Sequence, residues 1–354
     1  MKKLAIAAAL VACALTACAL TACKRQKPPA MTRVWLGPYH GCATIKAGAL
    51  ECWGANDVGQ LGDGTQEQST LPVLVTKAPG VPDELALGAR HTCGLFAGQV
   101  RCWGDAARGQ LATLPAGTIA TAIGAAGDQT CALTKEGAVT CWGDGHAQPA
   151  APAGITGVAA SIAVGPGRVC AVIREPAKAV RCSGADDRGQ SAGSKAVLVG
   201  ADVKALAAGG KHTCALLDDG SVQCWGANDF GQLGDGTTTD TNAPALVGYL
   251  PPAVELRAGS NYTCARLRNN TVACWGDNRA HQLANGTTTP SARPAPLQGL
   301  VGVFELALGG DSACARLAEG GARCWGANNA GQLGDGTIAD HPVPMPVRSR
   351  LPPK

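Results

Sequence analysis

The chain has 354 residues, of which 16% are charged and 4% aromatic, and its 48 Gly and 22 Pro make turns frequent and long helices unexpected. The formal charge of +4 comes from the two ends. Without Lys2, Lys3, Lys24, Arg25, Lys27, Arg348, Arg350 and Lys354, the body carries 22 basic and 26 acidic residues, a net of −4, which argues against nucleic acid as a partner.

Lys2 and Lys3 precede an uncharged, Ala-rich run from Leu4 to Ala22. That is the basic start and apolar core of a signal peptide. The run has 19 residues, so a retained membrane helix is the rival reading. Leu20-Thr21-Ala22-Cys23 resembles the lipobox of bacterial lipoproteins, in which a small residue precedes the lipidated Cys. Leu15-Thr16-Ala17-Cys18 and Leu10-Val11-Ala12-Cys13 match it too. Cysteine arithmetic favours Cys23 as the anchor. It discards Cys13 and Cys18 with the leader and leaves 14 body cysteines, an even number. Anchoring at Cys18, the alternative, leaves Cys23 unpaired. The expectation is a signal peptide over 1–22 and a polar tether over 23–30.

From residue 31 to 347 the chain repeats itself, before a short tail at 348–354. The clearest copy runs from Gly209 to Thr237, and nearly the same string returns around residues 50 and 325. Its second Cys recurs at Cys52, Cys102, Cys141, Cys182, Cys224, Cys274 and Cys324. Three of the intervals are 50 residues, and the others are 39, 41 and 42. Trp follows that Cys in six copies, at Trp53, Trp103, Trp142, Trp225, Trp275 and Trp325; Ser183 replaces it in the fourth. Regular recurrence assigns these Trp to packing between copies. Val254 to Leu256 and Phe304 to Leu308 read as strands, each followed by a Gly, a Cys-containing strand, a turn and the Cys-Trp-Gly strand. About four short antiparallel strands per unit, seven times over, predict an all-β, seven-bladed propeller.

The cysteines fit one bridge per blade. The two Cys of a copy are ten residues apart in Cys42–Cys52, Cys131–Cys141, Cys214–Cys224, Cys264–Cys274 and Cys314–Cys324. The separation is nine for Cys93–Cys102 and twelve for Cys170–Cys182. A ten-residue separation suits a three-residue hairpin loop whose last position needs positive φ, and Gly48, Gly137, Gly220, Asn270 and Gly320 stand there. Ala97-Gly98 makes a two-residue loop, and Arg174 to Lys178 a five-residue one. All three loop lengths bring the two Cys face to face as a non-hydrogen-bonded pair, within disulfide reach. Zinc ligation is the rival, but the C-x-x-C spacing it favours is absent from the sequence.

The string G-x-x-H-T-C-A-L…G-x-V-x-C-W-G-x-N-x-x-G-Q-L-G resembles the repeat of the regulator of chromosome condensation family. It stands at Gly54 to Gly62, Gly226 to Gly234 and Gly326 to Gly334. Weaker forms are Gly109-Gln110-Leu111-Ala112, Gly189-Gln190-Ser191 and His281-Gln282-Leu283-Ala284, and the third copy has lost it. The resemblance implies the seven-bladed propeller. The founding member's nuclear nucleotide-exchange activity does not suit an exported, disulfide-bonded chain. A secreted bacterial relative that inhibits β-lactamases through one propeller face is a better guide to the class of activity. The first strand at Val34 and the last segment, Pro342 to Val347, further suggest that the last strand joins the first blade and closes the ring.

Candidate chemistry is sparse. Two positions before the first Cys of each copy stand His40, His91, Gln129, Arg168, His212, Tyr262 and Ser312. Three His suggest a metal ring, but the four replacements favour structural hydrogen bonding. Asp63-Gly64, Asp235-Gly236, Asn285-Gly286 and Asp335-Gly336 read as turns rather than calcium loops. The third and fourth copies lose residues from their connecting segments, which predicts a notch able to seat a partner loop. The reading is a monomeric, lipid-anchored binding protein of the bacterial cell envelope. Its partner is a protein or surface polymer, and it needs no cofactor, metal or catalytic residue. The alternatives are an inhibitor of a secreted enzyme and a hydrolase or lyase at the central opening.

Overall fold

A computed structural model describes residues 30–191 and 202–348, all within one compact unit spanning Pro29–Arg350. These residues form a seven-bladed propeller, with no helix among them. The first blade holds β1 (Met31–Leu36), β2 (His40–Ile45), β3 (Ala49–Gly54) and β4 (Ser69–Leu74); the second holds β5 (Glu84–Leu87), β6 (His91–Phe96) and β7 (Gln99–Gly104). The third holds β8 (Ala120–Ala126), β9 (Gln129–Thr134), β10 (Val139–Gly143) and β11 (His146–Ala150); the fourth holds β12 (Val158–Gly165), β13 (Arg168–Glu175) and β14 (Ala179–Gly184). The fifth holds β15 (Val203–Ala208), β16 (His212–Leu217), β17 (Val222–Gly226) and β18 (Thr241–Leu246). The sixth holds β19 (Ala253–Ala258), β20 (Tyr262–Leu267), β21 (Val272–Gly276) and β22 (Ser291–Pro296), and the seventh β23 (Val303–Gly309), β24 (Ser312–Leu317), β25 (Ala322–Gly326) and β26 (His341–Pro346).

Five blades have four strands, and two have three among the described residues. The 39-residue interval thus deprives the second blade of its outer strand. The third blade keeps four by replacing the long connection with the Asp144-Gly145 turn between β10 and β11.

Every sheet is an antiparallel meander, and the first strand of each blade lies against its counterpart in the next, around to β1 against β23. The ring does not close by strand exchange, contrary to the sequence expectation. β26 pairs with β25 in its own blade, because β4 already occupies the outer edge of the first. Closure comes instead from side-chain packing and a backbone hydrogen bond between the first and seventh blades. Met31, Val34 and Leu36 pack with Ala307, Cys314 and Leu333, and the Met31 amide donates to the Gly320 carbonyl at 2.7 Å.

The hairpin geometry explains the bridges. Each Cys pair is directly opposed across the second and third strands of its blade, with Cα atoms 4.0–4.1 Å apart. The loop positions marked by Gly48, Gly137, Gly220, Asn270 and Gly320 all have positive φ, as do Ala97 and Gly98 in the two-residue loop.

The core lies between blades, not within them. The indole N–H of each motif Trp donates backward to the carbonyl of the motif Gln in the preceding blade, which follows Gly in five blades and His281 in the sixth. Trp53 reaches Gln332 at 2.8 Å, Trp103 reaches Gln60 at 3.1 Å, and Trp142 reaches Gln110 at 3.0 Å. Trp225 reaches Gln190 at 3.0 Å, Trp275 reaches Gln232 at 2.9 Å, and Trp325 reaches Gln282 at 2.8 Å. The same rings cover the preceding blade's disulfide, as Trp275 does over Cys214–Cys224. The Gln side chain shapes its own loop, since Gln232 Oε1 accepts the Phe230 amide at 2.9 Å. Asp235 closes the following turn by accepting from the Thr237 amide at 2.8 Å, a turn role rather than a calcium-loop one.

Gly234 is required twice at this seal. Its φ is +72°, and an added Cβ would stand 2.7 Å from Trp275 Nε1. Gly286 has φ +76° with open space around it. Gly286→Ala is therefore expected to cost about 1 kcal/mol from backbone strain, and Gly234→Ala roughly 1–3 kcal/mol more from displacing the indole. Equal losses in chemical denaturation would reject the seal as the constraint on that glycine.

Candidate functional site

Of the seven aligned residues two positions before the first Cys, five form an internal ring of interblade contacts. His40 Nε2 meets Thr92 Oγ1 at 2.7 Å, His91 Nε2 meets Thr130 Oγ1 at 2.7 Å, and His212 Nε2 meets Thr263 Oγ1 at 2.9 Å. Arg168 donates to the carbonyls of Gly209, Gly210 and His212 at 2.8, 2.7 and 2.6 Å. Tyr262 donates to the Ser312 carbonyl, and Ser312 to that of Ala327. Except for Ser312, which bonds within its own blade, these bonds run forward into the next blade. Each histidine is thus committed to a neighbouring threonine, which is the structural role expected over the metal-ring alternative.

Burial sets their charge. It pushes His40 and His212 down to about 3 and His91 to about 4, with the charges of His91 and Arg168 adding to the effect on His40 and His212 respectively. Burial also lowers Arg168 to about 10, so it remains a cation at neutral pH.

At the axis, Arg33, Glu255, Arg257, Arg266, Glu305 and Arg316 line an open cavity of about 400 Å³, together with Phe304. Both carboxylates are engaged. Glu305 pairs with Arg316 at 3.2 Å and Arg33 at 3.5 Å and accepts from the Val34 amide at 3.3 Å. Glu255 pairs with Arg266 and Arg257 at 3.0 Å and accepts from the Leu306 amide at 3.3 Å. Register places Arg33, Glu84, Ala122, Ser161, Ala205, Glu255 and Glu305 at one level of the first strands, so four consecutive blades are charged there and three are small and neutral.

The two faces of the ring differ. One is built from the turns joining first to second strands and the segments that leave each third strand. Its described segments carry fifteen carboxylates against Arg90, Arg108, Arg188, Lys211 and Arg279, a net of −10. Four of these cations are tied across blades, as in Arg90–Asp57 at 2.7 Å and Arg108–Asp128 at 3.3 Å, while Arg279 pairs with Asp277 of its own blade at 2.7 Å. The opposite face, made of the hairpin loops and the connections from one blade to the next, exposes Val81, Tyr249 and Val301 in those connections.

One interface on the acidic face is open. Between the third and fourth blades lies a cavity of about 260 Å³ lined by Gln129, Cys141, Asp144, His146, Val169 and Ser183, among others. It coincides with the notch expected from the shortened copies. Sequence reasoning assigned no role to Gln129 in it, nor to Val169. Their signal lay in comparing each with its aligned position, where other copies carry His and Thr.

The fold defines a class: a disulfide-stapled, seven-bladed β-propeller. Its repeat is identified by sequence comparison. A profile of the Regulator of chromosome condensation (RCC1) repeat matches residues 48–95 and 219–266, and a second profile of that repeat matches 203–232 and 254–282. The matched segments are RCC1 repeats within that propeller. It is 29% identical over 225 residues to human RCC1 domain-containing protein 1, across 60% of this chain and 49% of that one. It is 27% identical over 235 residues to human Probable E3 ubiquitin-protein ligase HERC4, across 61% of this chain and 19% of that one. The chain thus spans about half or less of these relatives. Among solved structures, Prp20p from Saccharomyces cerevisiae superposes with a TM-score of 0.76 at 18% identity, covering 90% of this chain and 88% of that one. The ectodomain of the Arabidopsis thaliana receptor kinase ACR4 superposes at 0.59 with 21% identity, covering 89% and 99%.

The buried histidines make stability pH-dependent. Above pH 6.5 they are neutral whether the chain is folded or unfolded. Below it the unfolded chain takes up protons that the folded chain refuses until about pH 3–4, so stability falls as pH drops through that window. At pH 5 the loss is about 2 kcal/mol per histidine. Urea unfolding at pH 7.5 and 5.0 measures it. His212→Gln, which installs the third blade's residue type, is expected to remove one such increment; an unchanged pH dependence would exclude His212 as its source.

Proposed function

We propose that this chain is a lipid-anchored, extracytoplasmic binding protein that recognises another protein through the acidic loop face of its propeller. The observation that carries the reading is the open seam between the third and fourth blades, in a ring whose other interfaces are each closed by an indole. A broken seal exposes sequence-specific surface at one point of a repetitive platform. Seven disulfides support folding in an oxidising compartment. The leader and both anchor candidates, Cys23 and Cys18, lie outside the described residues. The net charge of −10 on the loop face supports a basic partner surface.

The relatives support protein recognition as a use of this fold. Prp20p binds Gsp1p and histones, and the ACR4 propeller is a receptor-kinase ectodomain. An inhibitor of a secreted enzyme is the special case in which the partner is that enzyme. A hydrolase or lyase at the axis would rely on Glu255 and Glu305, and both are already held by arginines and backbone amides.

Intact-mass analysis of the protein extracted from membranes, without reduction, is expected to show a lipid on Cys23 and seven disulfides. Cys23→Ala should release the protein from the membrane fraction. A free, unlipidated N-terminus in the wild-type protein would reject the anchor. Replacing Asp144-Gly145 with the fifth blade's connection, 227–240, should weaken a partner captured on the immobilised propeller at least tenfold. Unchanged affinity would reject the seam as part of the binding surface.

A further inference from the structure

Each closed interface pairs a G-Q carbonyl on one blade with an indole from the next. At the interface between the third and fourth blades both halves are missing. The Asp144-Gly145 turn stands where the G-Q loop would be, and Ser183 stands where Trp would be. Val169 stands where four other blades carry Thr92, Thr130, Thr213 and Thr263. As a result Gln129, the aligned counterpart of the threonine-bonded histidines, has no hydroxyl to meet, and its Oε1 is buried without a partner. The Cys131–Cys141 bridge has no indole over it, and Cys141 lines the opening.

We propose that this seam receives a tryptophan or tyrosine side chain of a partner protein, seated where a propeller tryptophan stands in the other six interfaces. The proposal rests on the binding function above and names its central contact. Size supports a single ring system. The cavity of about 260 Å³ is smaller than a drug-sized site and larger than the roughly 150 Å³ that holds a benzene. Chemistry narrows the ring further. The disulfide offers a polarisable sulfur surface of the kind the other indoles cover. The unpartnered Gln129 oxygen calls for a buried donor, which an indole N–H or a phenol O–H supplies and Phe or Leu does not. The rim belongs to the acidic face, with Asp128 and Asp144 flanking Arg108, so the partner's ring is expected beside basic residues.

The test is an NMR titration of the folded propeller with N-acetyl-L-tryptophanamide, with N-acetyl-L-leucinamide as the apolar control. Saturable shifts are expected at the amides of Gly143, Ser183 and Gly184, with binding at least tenfold tighter than for the leucine compound. Ser183→Trp restores the internal indole and should abolish the shifts. Ala151→Arg, at the exposed rim, tests occlusion without altering the core and should weaken binding at least tenfold while distant resonances stay in place. No preference for the indole, or undiminished binding in folded Ala151→Arg, overturns the proposal. A captured partner indifferent to Ala151→Arg also overturns it while leaving the broader binding function standing.

Discussion

The indole N–H donated backward to the neighbouring blade's glutamine carbonyl is the interaction on which the ring depends. A propeller blade cannot bury both faces alone, and this chain has few large side chains with which to fill the gaps. At six of its seven interfaces it solves the problem with one Trp, packed on a disulfide and hydrogen-bonded at its polar edge. Both halves are needed together. A buried indole N–H without an acceptor costs roughly 1–3 kcal/mol, and a motif carbonyl turned inward without a donor costs a similar amount. The G-Q-L motif is therefore one part of a joint whose other part lies in the next repeat.

That offset decides what was legible in the sequence. Bridges within a blade involve residues close in the chain, so loop length and a single positive-φ position were enough to pair Cys42 with Cys52 or Cys170 with Cys182. Seven blades followed from counted repeats. The ring closure did not, because a repeat pattern shows that units stack but not which edge a terminal strand prefers; β4 settles that by filling the first blade's edge. The seam was half legible. Loss of G-Q-L in the third copy and of Trp in the fourth were both visible, yet they look independent until the structure places Ser183 against the third blade. Gln129 looked like one irregular member of a histidine series, and only the loss of its threonine partner at Val169 gives it meaning.

The internal ring of His40, His91, Arg168, His212 and Tyr262 stiffens the joints that the indoles seal. Its members reach forward into the next blade while the indoles reach back, so each joint where both occur is held from two directions. This has an electrostatic consequence. The imidazoles are kept neutral by burial, and Arg168, the one buried cation among the described residues, is satisfied by three carbonyls. Most of the charge lies instead on the loops of the acidic face, where the carboxylates outnumber the cations.

A ring of near-identical blades has a recognition problem that this arrangement removes. Seven similar loop sets at a similar potential would offer a partner several registers of comparable energy, and specificity is a difference between registers, not the depth of any one. The acidic face supplies long-range attraction but little angular preference, because its carboxylates are spread over all the described blades. A single unsealed joint breaks the degeneracy, since a side chain that fits between the third and fourth blades finds the same space filled by Trp at every other interface. In the proposed binding mode the steric cost of the wrong registers is set by the indoles that hold the ring together, so the same residue would give the platform its stability and confine docking to one position.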